Sequence, residues 1–151
     1  DPVAAFTSLR RGHADGGRLC FTCWQAPERN PWLTVPGRAV APFAPELEVP
    51  DPDAPGPFAF RDPQRVTSIL EAAGYHDVRV EPHPVSLRQG ATLDEAMELA
   101  VWLGPASRVL SVLPPPAHAA AVEALRDALR PFVTPEGVWL DSAALLVTAR
   151  A

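Results

Sequence analysis

Four residues have the types and spacing for small-molecule chemistry: Trp24, Gln25, Asn30 and Trp32. Two indoles offer apolar walls and two amides offer orienting donors and acceptors, the usual makeup of a ligand pocket. They stand where a β-prone segment, Arg18 to Gln25 (RLCFTCWQ), runs into a proline-rich stretch. In open α/β sheets ligands collect outside the carboxyl ends of strands. These four are therefore the candidate substrate-binding residues. The competing reading, that both indoles anchor a loop to the core, is compatible with it.

Other constellations carry less. Cys20 and Cys23 form a CxxC, but redox pairs of this kind need one thiol at a helix N-terminus. In a strand, three residues of separation put the two thiols on opposite faces, roughly 10 Å apart. A zinc site would need two more ligands, and His13, His76, His83 and His118 lack matching spacing, so no metal is expected. Gly12, Gly16 and Gly17 follow a helical segment and precede a strand, the reverse of a phosphate-binding loop. No Gly-x-Ser-x-Gly elbow is present, and Asp141-Ser142 has no recognisable triad context. Glu46, Glu48, Asp51 and Asp53 read as a solvated loop face, since hard cations need several convergent oxygens. His13 and His83 are candidate bases, one in a turn and one between prolines.

The elements that must position these residues follow from periodicity and punctuation. Pro2 to Arg11 predicts a short helix with Val3, Phe6 and Leu9 on one face. Arg18 to Gln25 predicts a strand buried on both faces. Ten of the 19 prolines fall between Pro27 and Pro63, and 26–57 predicts a long, ordered, irregular loop, of the kind that serves as a lid or binding loop. Its apolar anchors are Trp32, Val35, Val40, Phe43, Leu47, Phe58 and Phe60. Asp62 as N-cap, Pro63 at the first helical position and Gly74 as a left-handed stop delimit a helix. Val66, Ile69, Leu70 and Ala73 form its apolar face. Asp77 to Leu87 predicts a strand, and Pro82 and Pro84 suit a sheet edge or a bulge instead of a central strand. Thr92 and Glu95 have capping-box spacing ahead of Leu93, Ala96, Met97, Ala100 and Leu103. Further helices are predicted from Gly104 to Leu113 and from Ala117 to Arg130, the last with Val122, Leu125 and Leu129 inward. Extended segments at Val138–Leu140 and Ala143–Ala149 close the chain. The mixture predicts an α/β fold with about three strands covered by helices.

Composition sets the outer limits. The chain has 151 residues, is 47% hydrophobic and carries a net charge of −5, which suits a globular domain and argues against disorder. Thirteen arginines, no lysine and 18 acidic residues leave no basic footprint for nucleic acid. The absence of lysine and the abundance of alanine and proline fit a GC-rich bacterial coding sequence. No membrane-length apolar run and no signal peptide are present, so a cytoplasmic location is expected. The start at Asp1-Pro2 has the look of a cut end.

The stretches DPVAAFTSLRR, DGGRLCFTCWQ and NPW, then PGPFAFRDPQRVTSILEAAGYHDVRVEP and GVWLDSAALLVTARA, resemble the C-terminal half of class I methyltransferases that use S-adenosylmethionine. The most specific parts are Gly16-Gly17-Arg18-Leu19 with Trp24-Gln25, and Phe58 to Glu81. The resemblance implies a Rossmann-like sheet whose last strand is antiparallel and inserted between the fifth and the sixth. Arg18–Gln25 would be the fifth strand, Val78–Leu87 the sixth and Ala143–Ala149 the seventh, with 92–131 a helical insertion. The loop over 26–57 would border the acceptor, a small organic molecule. The family's cofactor-binding turn and acidic residue would precede Asp1, so no cofactor-binding residue is expected here, and this chain alone would be inactive. Ala14-Asp15 also stands where the family often has a basic residue and a proline. The alternative is a non-catalytic fragment or association module. Its partner would be a second copy joined through an exposed sheet edge, or the missing N-terminal half.

Overall fold

In the computed structural model, residues 1–46 and 54–151 are described. The helices are α1 (Pro2–Arg11), α2 (Pro31–Val40), α3 (Pro63–Ala72), α4 (Leu93–Trp102), α5 (Gly104–Leu110) and α6 (Pro115–Leu129). The strands are β1 (Arg18–Trp24), β2 (His76–Gly90), β3 (Val133–Thr134) and β4 (Gly137–Arg150). They form one open antiparallel sheet in the order β1-β4-β2, with β3 paired to β4 off that path. The β1–β4 register is unbroken, from Arg18 opposite Arg150 to Trp24 opposite Ala144. Among the described residues no helix is long and apolar enough to cross a membrane.

The chain divides into two compact units, and β2 and β4 each run through both. The first comprises Asp1–Ala26, Asp51–Pro84 and Ala143–Ala151. Here α1 and α3 pack together over a core of Val66, Leu70, Ala73, Tyr75, Leu145, Val147 and Ala149. The predicted punctuation forms α3: Asp62 Oδ1 accepts the Gln64 N–H at 2.9 Å, and Gly74 turns the chain at φ +90°. The Tyr75 N–H then reaches back to the Leu70 carbonyl at 3.0 Å, closing the helix end. Val66, Ile69, Leu70 and Ala73 are all buried, as their spacing predicts.

β1 departs from its expectation. Arg18, Cys20 and Thr22 are exposed while Leu19, Phe21 and Cys23 face inward. The strand therefore alternates instead of being buried on both faces, because only its apolar side packs on the α1–α3 layer. Leu9 of α1 is likewise 53% exposed. Of the two positions that Pro82 and Pro84 suit, an edge or a bulge, the edge matches β2, which ends the sheet order on the other side.

The second unit comprises Pro27–Pro50 and Val85–Ser142. Its helices α2, α4, α5 and α6 pack around Val40, Ala96, Met97, Ala106, Leu125, Leu129, Val138 and Leu140. Thr92 Oγ1 accepts the Glu95 N–H at 3.2 Å, and Glu95 Oε2 accepts the Ala91 N–H at 2.7 Å. This is a capping box whose return bond lands one residue early. Leu103, which follows Leu93, Ala96, Met97 and Ala100 in the predicted helix, is 54% exposed, because α4 stops at Trp102 and Gly104 swings the chain away at φ +82°.

The largest correction concerns 26–57. It is not one irregular loop: 3₁₀ turns at Pro27–Arg29 and Ala41–Phe43 flank helix α2. Three features concealed the helix in the sequence. Pro31 takes the first-turn position where its missing N–H costs nothing. Pro36 sits inside the helix, a position prolines ordinarily break. Gly37 follows, and a Cβ there would lie 3.1 Å from Pro105 Cβ, so close packing of α2 against α5 favours a glycine that helix propensity alone would reject. Leu47, Glu48, Asp51 and Asp53 lie outside the described residues.

Candidate functional site

Trp24 ends β1 and Gln25 follows it in the first unit, whereas Asn30 and Trp32 stand at the start of α2 in the second. Each pair is built into main-chain structure. The Gln25 N–H continues the ladder to the Ala143 carbonyl at 2.8 Å. Its side-chain Nε2 donates to the Ala144 carbonyl, also at 2.8 Å. With the residue 8% exposed, the amide extends the β1–β4 pairing by one more bond past the strand end.

Asn30 is fully buried and serves as a hub. Its N–H donates to the Pro27 carbonyl at 2.9 Å, and its carbonyl accepts the Leu33 and Thr34 N–H groups at 3.0 Å each. The Thr34 hydroxyl adds a bond to that carbonyl at 3.3 Å. The side chain occupies the N-cap position without capping the helix. Instead Oδ1 accepts the indole N–H of Trp32 at 3.0 Å.

Trp32 also lines a cavity with Leu33, Pro36, Leu99, Leu103 and Gln89. The cavity measures ≈ 10 Å³, room for about one water molecule, against roughly 300–1,000 Å³ for a pocket that holds a drug-sized ligand. Of its α2 members the sequence singles out Trp32 alone, because Leu33 and Pro36 fall in a stretch whose prolines predict a loop. The spacing of Trp32, Leu33 and Pro36 was the available signal, masked by the two prolines.

His13, a candidate base, lies in the turn after α1, its ring edge-on to Tyr75 with centroids 5.8 Å apart. The Tyr75 hydroxyl is buried without a hydrogen-bond partner, a feature no sequence signal reported. Burial pushes that phenol above its ordinary pKa, and the nearby Arg10 charge pulls weakly the other way. His83, the second candidate base, is exposed on β2. The two thiols are free and on opposite sides of β1, as strand geometry requires. Cys20 is exposed, whereas Cys23 Sγ donates to the Phe60 carbonyl at 3.3 Å, and burial raises its pKa. Ser86 donates to Asp141 at 2.9 Å, and Ser142 to the Val85 carbonyl at 2.8 Å, so both serines brace β2 against β4. Among the described residues, no three of His, Cys, Asp and Glu gather where they could hold a metal.

S-adenosylmethionine needs a glycine-lined turn open to the ligand. The paired glycines here join α1 to β1, and a Cβ at Gly17 would stand 2.9 Å from His13 Cβ and Nδ1 and from the Ala14 carbonyl. The space over Gly17 is therefore filled by its own turn. These residues do not fit the cofactor. No family model matches the sequence, and neither does any curated protein.

Proposed function

We propose that this chain forms the substrate-side half of a class I S-adenosylmethionine-dependent methyltransferase acting on a small organic acceptor. The observation that carries the reading is the sheet order β1-β4-β2 with β4 antiparallel to β1. Strands consecutive in sequence usually lie side by side, yet here the last long strand separates the first two. The sequence resemblance implies that same arrangement for the fifth, seventh and sixth strands. In this reading α4 to α6, which precede β4, are the insertion before the last strand.

In this reading Trp24 and Gln25, at the carboxyl end of β1, border the acceptor, and Asn30 and Trp32 stiffen the segment that follows. Methyl transfer by direct displacement draws on alignment and water exclusion more than on an acid–base pair, so sparse titratable chemistry is no obstacle. Cofactor binding falls to a segment outside Asp1–Ala151. Calorimetry tests this division. The 151-residue chain should show no S-adenosylmethionine binding, whereas the chain extended by its upstream coding sequence should bind in the micromolar range and transfer a labelled methyl group. An extended chain that binds no cofactor would overturn the proposal.

A further inference from the structure

Leu99, Trp102 and Leu103, at the carboxyl end of α4, are all exposed. Trp102 is 85% exposed, an uncommon state for a side chain that is highly buried on average. Leu99 and Trp102 are three residues apart on one helix and so share a face. Leu99 and Leu103 also line the cavity beside Trp32, Leu33, Pro36 and Pro105. The exposed patch is therefore continuous with the recess, and every one of these residues belongs to the second unit. Apolar surface leading into a recess marks a ligand groove.

The polar atoms of the recess define what it accepts. The Trp32 indole N–H is bound to Asn30 Oδ1. Gln89, which also lines the recess, donates from Nε2 to the Leu87 carbonyl at 3.2 Å, and its Oε1 is left as an acceptor. A water in the ≈ 10 Å³ of enclosed space would need two to four polar partners and finds one, so the recess suits apolar matter. We infer that this groove binds a neutral, flat, apolar ring molecule carrying one hydroxyl or N–H group.

Each property of this ligand has its cause in the lining. It is neutral because no charged side chain borders the recess. It is flat and rigid because Pro36, Pro105 and the tethered Trp32 indole are walls with few torsions of their own, and a preorganised ligand loses least on meeting them. Its edge fills the recess, its donor meets Gln89 Oε1, and the remainder lies on the exposed surface of Leu99 and Trp102. The recess need hold only the ring edge, so its small volume is no obstacle. The inference rests on the methyltransferase reading only in naming this ligand the methyl acceptor.

Calorimetry on the 151-residue chain, without cofactor, tests this with 2-naphthol and 2-methoxynaphthalene. The probes share a ring system, and only the first carries a donor. 2-Naphthol should bind with a Kd of about 10–100 μM, and 2-methoxynaphthalene about tenfold more weakly. Gln89→Leu should erase that difference. Trp102→Ala, at a side chain the fold leaves in solvent, should preserve the circular dichroism spectrum and weaken both probes about fivefold or more. Trp139→Ala, at a second exposed indole, on β4, should weaken neither. No heat of binding up to about 1 mM probe overturns the inference. So does equal affinity of the wild type for the two probes, and so does binding that Trp102→Ala leaves intact. An extended chain that takes S-adenosylmethionine while the groove ignores both probes sinks this inference and leaves the methyltransferase reading standing. Probe binding with no cofactor uptake by the extended chain does the reverse.

Discussion

The Asn30–Trp32 pair permits a quantitative test of how α2 is held. Asn30→Ala removes the acceptor of a 3.0 Å bond at a position with no solvent exposure. The lost bond is worth about 0.5–1.5 kcal/mol net, and the void left by the amide adds about 1–2 kcal/mol. Trp32 is only partly buried, so its indole N–H can find water, which keeps the total near 2–3 kcal/mol. For a chain of this length that lowers Tm by about 4–12 °C. Trp32→Phe leaves the buried Oδ1 without the indole donor, at about 1–2 kcal/mol beyond the area lost. The informative quantity is the coupling, since packing losses largely cancel in the cycle. With Trp32→Phe in place, Asn30→Ala should cost about 1 kcal/mol less than in the wild type. Urea unfolding of the four proteins, followed by far-ultraviolet circular dichroism, measures this directly. Costs that add within about 0.3 kcal/mol would refute the bond as the link between the two residues.

Two further perturbations separate local from global causes. Gly137 has φ +125°, and a Cβ there would meet the Gly90 carbonyl at 2.6 Å and Arg88 Nε at 2.8 Å, whereas Gly16, at φ +71°, has nothing within 4 Å. Gly137→Ala should therefore cost more than about 2 kcal/mol and Gly16→Ala only about 1 kcal/mol of backbone strain; equal urea midpoints would contradict the steric account. Burial raises the Cys23 thiol above its ordinary value of 9.0, so the fold favours the neutral form. The stability this supplies is complete below that value and is lost as pH rises through the raised one. Thermal melts should fall on the alkaline side of about pH 9, less steeply for Cys23→Ala, and Ellman's reagent at neutral pH should consume Cys20 on the order of tenfold faster than Cys23.

What was legible in the sequence was local and covalent in origin. Asp62-Pro63 and Gly74 mark the ends of α3, because a cap, a fixed φ and a left-handed stop act within one turn. Thr92 with Glu95 marks α4 for the same reason. The apolar faces of α3 and α6 follow from period alone, with Leu70, Leu125 and Leu129 essentially inaccessible. The strand positions of Cys20 and Cys23 were enough to set the two thiols on opposite faces.

Tertiary structure decided the rest. α2 tolerates Pro36 and Gly37 because its packing on α5 and α6 outweighs a propensity that local reading could only count against it. β1 is half exposed because a helical layer covers only one of its faces, and its pairing is a property of partners up to 132 residues away, Arg18 opposite Arg150. Trp24, Gln25, Asn30 and Trp32 are neighbours in sequence, but the fold assigns them to two units and engages their amides with Ala144 and Trp32. Residue types can announce what chemistry is available. Which atoms remain to perform it depends on the hydrogen bonds that folding uses up.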